Sequence, residues 1–206
     1  MLRLIFRTPQ LSSRTPSSVR PKPMRSKLAA MLAQNSKQKP NLTGIHIIDD
    51  DRQAFAFRRD MIRIAQSSID VQYYMWHADL TGQLLMGELL NAAKRGVRVR
   101  LLLDDNTTAG TDHVLHAISQ HPNIEVLLFN PFMLRKPRAP NYIFDFRRVN
   151  RRMHNKSLTV DGVATIVGGR NIGDEYFNAH ANFNFADRDV LAVGAVVSDV
   201  ERSFDH

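Results

Sequence analysis

The chain has no cysteine, a single tryptophan and no acidic residue before Asp49. The lack of thiols excludes a disulfide scaffold, a thiolate metal site and a cysteine nucleophile. No apolar run approaches the roughly 18 residues that would span a bilayer, so the sequence offers no transmembrane anchor. The missing early acids explain the net charge of +8. Of the 28 basic residues, nine (Arg3, Arg7, Arg14, Arg20, Lys22, Arg25, Lys27, Lys37 and Lys39) precede Asp49, which leaves 19 against 20 acidic ones. The basicity therefore belongs to a leading segment and not to a folded surface, and nucleic acid is not an expected partner.

That leading segment also holds Pro9, Pro16, Pro21, Pro23 and Pro40 among many serines. Too little apolar surface is present to offset the entropy of ordering, so residues 1–43 are expected to be a disordered basic tail. Arg- and Ser-rich leaders without acids also occur as organelle transit peptides. An extension that touches anionic lipid is the preferred reading.

From residue 44 onward the pattern is α/β. Ile45–Ile48 reads as a strand, and Asp49 and Asp50 can cap a helix carrying Phe55, Ile62 and Ala65. Residues 68–76 (SIDVQYYMW) read as a strand, and a helix opened by Asp79 stops at Gly96. A strand at 97–103, a helix at 112–119 and a strand at 124–129 follow. This alternation predicts one domain over residues 44–206 with a mixed β-sheet flanked by helices. Residues 130–152 break the rhythm with three prolines, the apolar trio Phe132, Met133 and Leu134, and the basic cluster Arg147, Arg148, Arg151 and Arg152. So long a connection is often functional. The trio suits either the core or a lipid interface, and the arginines suit anionic headgroups. Strands at 157–160 and 163–167 flank Asp161-Gly162, a hairpin signal. A short helix is expected after Gly173 and a strand at 189–193. Ser198 looks like the N-cap of a last helix that runs off the end of the chain.

The chemistry lies in His154-x-Lys156-x4-Asp161-x6-Gly168-Gly169-x-Asn171. Six specified residues at this spacing coincide by chance on the order of once in a million such chains. Residues two apart on an extended segment share a face, so His154 and Lys156 project together. Imidazole can attack the phosphorus of a phosphodiester, and a fixed ammonium stabilises charge developing on the phosphoryl oxygens. Gly168 and Gly169 would let backbone approach a phosphate, with the Asn171 amide as a further donor. Such a site needs no metal, and neither a metal nor a cofactor is expected. His77, His113, His116 and His121 resemble a metal cluster in number but not in spacing, and Asp104-Asp105 reads as a capped turn and not a Mg²⁺ site.

These residues resemble the defining motif of the phospholipase D superfamily, with Gly169 where many members carry serine. A narrower resemblance covers about residues 60–206. VQYYMWHADLTGQLL, AAKRGVRVRLLLDDN, NPF and RRMHNKSLTVDGVATIVGGRNIGDEYF are similar to bacterial cardiolipin synthases, of the type called C. The resemblance implies a phosphatidyltransferase with a covalent phosphatidylhistidine on His154. Lys156 and Asn171 would bind phosphate, with Gly168, Gly169, Arg151 and Arg152 beside the substrate. Asp161, as part of the motif, would join the catalytic set, although its hairpin-turn position suits a structural role as well. Asp187 stands roughly where an acid orients the histidine. It further implies phosphatidylglycerol and phosphatidylethanolamine as substrates, and a peripheral place on the cytoplasmic face of the bacterial inner membrane.

The superfamily mechanism uses two motif copies, and this chain carries one. The expectation is thus a first phospholipase D-like domain truncated at its C-terminal end. Such a half should be inactive alone, and should need a second motif-bearing domain in cis or a second copy in a homodimer. The alternatives are a phospholipase D-type phosphodiesterase and a homodimeric single-motif nuclease.

Overall fold

The computed structural model describes residues 17–19, 26–36 and 41–206. Most of the predicted tail thus lies outside the described residues. Within it, Lys27–Ser36 forms helix α1, which buries Leu28 against the domain core. Its first turn is anchored by the Lys27 amide, which donates to Gln66 Oε1 at 2.7 Å.

Seven strands form one mixed sheet: β1 (Thr43–Ile48), β2 (Ser68–Tyr73), β3 (Arg98–Asp104), β4 (Ile124–Phe129), β5 (Lys156–Val160), β6 (Ala164–Gly168) and β7 (Asp189–Gly194). Their order is β1-β7-β6-β5-β2-β3-β4. β2, β3 and β4 run parallel, and every other pairing is antiparallel. The parallel half follows from the helical crossovers α3 (Leu80–Lys94) and α4 (Asp112–Ser119), since only a long connection returns a strand in the same direction. The antiparallel half is joined by the Asp161-Gly162 turn, where φ is +54° and +63° and the Val163 amide donates to Val160 O. Two residues of positive φ match the twist of the paired strands, as the Asp-Gly pair predicts.

Both faces of the sheet are covered. α2 (Asp51–Ile64), capped by Asp50 at the Gln53 amide, packs with α3 on one face, where Ile62 of α2 and Leu89 and Ala93 of α3 share a buried apolar cluster with Ile69 and Val71 of β2. On the other face α7 (Ala195–Asp205) lies across β2, β5, β6 and β7. There Arg100 bonds both oxygens of Asp70 at 2.7 Å, reaches Asp205 and stacks on Phe204. α7 starts three residues before the predicted N-cap, so Ser198 lies inside it. Gly194, at φ +91°, makes the turn from β7. The long connection contains two short helices, α5 (Ala139–Phe144) and α6 (Phe146–Val149), and the predicted helix after Gly173 is a single 3₁₀ turn, Asp174–Tyr176. No helix among the described residues is long and apolar enough to cross a membrane.

Candidate active site

Register builds the site. β5 pairs antiparallel with β2 so that Lys156 faces Tyr73, which brings the start of β5 to the C-terminal ends of the parallel strands. Asp104, at the end of β3, fixes the approach: its carboxylate accepts from the Met153 amide at 2.8 Å and from Arg152 at 2.9 Å. The chain therefore enters the motif with its direction held, and the next residue, His154, emerges exposed.

Lys156 is buried at 9% exposure, and its Nζ lies 3.1 Å from His154 Nδ1 and 2.8 Å from His154 O. The shared face predicted from the two-residue spacing is thus present. Burial pulls the Lys156 ammonium below the ordinary lysine range, and the Asp187 carboxylate opposes that shift. Asp187 therefore belongs to this cluster through its field on Lys156. The Tyr74 ring stands 4.9 Å from the His154 ring and 6.0 Å from Lys156 Nζ, walling the site on the β2 side.

Asn171 is held at both ends of its amide. Oδ1 accepts from the Met75 amide and Nδ2 donates to the Tyr176 hydroxyl, each at 3.0 Å. One Nδ2 hydrogen is left to donate to a phosphoryl oxygen. Desolvation raises the Tyr176 pKa, which keeps the phenol protonated. Tyr74 did not stand out in the sequence, because YYMW reads equally well as plain strand, and Tyr176 lies in a stretch read only as a short helix. Alternation sends Tyr73 to Arg58 in the core and Tyr74 toward His154, and only the pairing with β5 shows what Tyr74 meets.

Several expected contributors stand elsewhere. Asp161 follows the far end of β5, roughly 16 Å along the strand from Lys156. There its buried carboxylate accepts from the amides of Gln66, Ser67 and Ser68 and from Ser26 Oγ. It stitches the hairpin to the α2–β2 connection and to the segment before α1, and does not touch the reacting centre. Asp161→Ala is expected to destabilise the fold by about 2–3 kcal/mol in urea titration, because it orphans donors to a charged group. Chemistry per folded molecule should be unchanged; a loss of chemistry at full stability would return Asp161 to the catalytic set.

Gly168 and Gly169 are not a phosphate cradle. A Cβ on Gly168 would stand 2.0 Å from Asp189 Oδ1, and one on Gly169 would stand 1.8 Å from Asp187 Oδ1. The Gly169 amide already donates to Arg188 O. The two glycines admit carboxylates, whose charge would repel a phosphate at that spot. Arg152 is likewise structural, held by Asp104 and Asn130 O and stacked on Phe132. Arg148 bonds Asp145, Asn130 and Pro131 O. Arg147 and Arg151 remain exposed. Of the apolar trio, Phe132 is core, lying between the guanidinium groups of Arg138 and Arg152. Asp104 and Asp105 act as the capped turn expected of them, Asp104 accepting from the Asn106 amide and Asp105 from Phe132 and Thr108. His77 pairs with Glu175 at 3.2 Å, near Asp79. The Asp79 carboxylate is occupied by the amides of Gly82 and Asp174, so this trio serves the cap of α3.

A buried charge chain supports the site from below. Asp189 meets Arg58 at 2.9 Å and Arg170 at 3.3 Å, and Arg170 continues to Asp51 at 2.7 Å. Arg58, Arg170 and Asp189 are at most 1% exposed. Arg170 is the unspecified residue of Gly-Gly-x-Asn, so the motif's last segment is pinned between Asp189 below and Met75 above.

The profile of the family described as "Cardiolipin synthase, PLD-like domain" matches residues 59–206. The chain belongs to this family. Cardiolipin synthase C of Escherichia coli K12 is 53% identical over 178 residues, covering 86% of this chain but 38% of that protein. The chain thus spans about two fifths of the length of the curated relatives it matches. Among solved structures, the phospholipase D family member Nuc from Salmonella typhimurium superposes with a TM-score of 0.56 at 17% identity, over 79% of this chain and 92% of its own. Phosphatidylserine synthase of Haemophilus influenzae gives 0.56 at 16% identity, over 86% of this chain and 40% of its own. At such identities the structures establish the fold, which is the mixed phospholipase D-like sheet predicted from the alternation of elements.

Proposed function

We propose that this chain is the nucleophile-bearing half of a phosphatidyltransferase of cardiolipin synthesis. The observation that carries the reading is an exposed His154 with the Lys156 ammonium 3.1 Å from its ring and the Tyr74 ring 4.9 Å away. A histidine nitrogen attacks the phosphorus of a phospholipid, a P–N bond forms and the P–O bond to the headgroup breaks. The departing alkoxide takes a proton from the histidine of a second motif copy. The hydroxyl of phosphatidylglycerol then attacks, returning that proton and freeing His154. Asp187 acts on this pair through its field on the Lys156 ammonium. Lys156 and the remaining Nδ2 hydrogen of Asn171 stabilise the charge growing on the phosphoryl oxygens.

Because the second copy must come from elsewhere, the chain alone is expected to be inactive unless two copies pair or a second motif-bearing domain is joined to it. The substrates, phosphatidylglycerol with or without phosphatidylethanolamine, place the protein at the cytoplasmic face of a bacterial inner membrane as a peripheral protein. The test supplies the chain, alone and joined to a second such domain, with vesicles of phosphatidylglycerol with and without phosphatidylethanolamine. Cardiolipin should form with the joined protein and not with the chain alone. Phosphatidic acid in place of cardiolipin would make the protein a hydrolase of the phospholipase D type.

A further inference from the structure

The α5–α6 segment is built inside out. Asn141, Asp145 and Val149, four residues apart, form the buried stripe, so two of the three inward positions are polar. The Asn141 amide bonds the backbone of Leu134 and Arg138, and Asp145 is paired to Arg148. The outward face carries Tyr142, Ile143, Phe144 and Phe146, with Ile143 77% exposed and both phenylalanines more than half exposed. Ordinary amphipathic helices on a soluble domain have the opposite sense. Contiguous exposed apolar side chains of this size mark a contact with something apolar.

The neighbours of this ridge say what that contact is. The exposed Arg147 and Arg151 rim it on α6 and just beyond, and α6 carries no exposed acid to offset them. Aromatic and aliphatic side chains flanked by arginines fit an anionic phospholipid surface, where the rings enter the headgroup–acyl boundary and the guanidinium groups meet phosphate. The segment is also tied to the reacting centre. Asn130 Nδ2 donates to the carbonyls of Arg148 and Arg151, and the next residues are fixed to Asp104 before His154 emerges.

We propose that α5–α6 is the lipid-docking element of this protein: Ile143, Phe144 and Phe146 insert into an anionic phospholipid surface, Arg147 and Arg151 bind its phosphates, and His154 is thereby held at headgroup level. This rests on the reading of the substrate as a membrane phospholipid. Of the two readings open for the apolar trio, Phe132 takes the core one.

The chain has one tryptophan, Trp76, which is buried, so Ile143→Trp adds an exposed reporter. With vesicles of phosphatidylglycerol carrying brominated acyl chains, the emission of the variant should shift to the blue and be quenched. Phosphatidylcholine vesicles should give a weaker effect. A blue-shifted, unquenched tryptophan whose emission depends on protein concentration would overturn the proposal in favour of a second copy covering the ridge. An unshifted emission with every vesicle would overturn it outright. The companion variant, Ile143→Ser with Phe144→Ser and Phe146→Ser, is expected to fold normally by circular dichroism and to lose vesicle affinity by about a hundredfold or more. Phosphohistidine formed from short-chain, monomeric phosphatidylglycerol, with the second domain joined, reads the catalytic proposal separately. It should survive in the triple variant. If it never forms while quenching persists, the catalytic reading fails and the docking element stands.

Discussion

Replacing His154 by alanine in a joined or paired protein is expected to abolish covalent phosphoenzyme and to lower phosphatidyl transfer at least about 10³-fold. The side chain is exposed and supports no core contact, so thermal stability should stay within about 0.5 kcal/mol of the parent. The pairing of a large kinetic loss with an unchanged fold is what identifies a nucleophile. Radiolabelled phosphatidylglycerol, followed by gel electrophoresis at neutral or alkaline pH and a check that the protein-bound label is base-stable and acid-labile, reads the covalent step directly. Undiminished transfer by His154→Ala would remove the residue from the reaction and would favour a binding half without turnover.

The second large effect is on stability. Asp189→Ala removes the carboxylate shared by Arg58 and Arg170, both buried, and leaves two guanidinium groups without their common counter-charge. Breaking a buried pair in this way costs about 3–5 kcal/mol. A domain with a typical total of about 5–15 kcal/mol would then be marginal at best. The urea midpoint should fall accordingly, and the Asn171 end of the site should loosen first, because Arg170 precedes it. Asp189→Asn keeps the shape and a hydrogen-bond acceptor, so an intermediate loss is expected. Equal, small losses in both variants would show that the charge chain contributes little.

The two experiments address different layers of one motif. His154 and Lys156 are the residues proposed to act on the substrate, whereas Asp161, Gly168, Gly169 and Arg170 hold the strands that carry them. A linear spacing weights these residues equally, since all are specified alike. Asp161 looked catalytic because it is part of the signature, yet its carboxylate caps three consecutive backbone amides and a serine hydroxyl. The glycines looked like a cradle because small residues permit close approach. What approaches is Asp187 on one and Asp189 on the other, which are 18 and 21 residues further along. The arginines before His154 looked equivalent, but alternate ones turn inward to Asp104 and Asp145 and the others turn out.

The sequence by itself determined the alternation of helices and strands, the Asp-Gly hairpin and the shared face of His154 and Lys156. Each depends on residues within a few positions of one another, where backbone geometry alone fixes which side chains share a face. Tertiary structure decided which side chains surround that pair. Tyr74, Tyr176, Asp104 and Asp187 reach the site through register between strands distant in sequence, and no local period encodes that pairing. It also decided which apolar residues face out. Phe132 and Phe144 are alike as sequence, but Phe132 lies between two arginines in the core, while the buried Asn141 and Asp145 turn Phe144 to the surface.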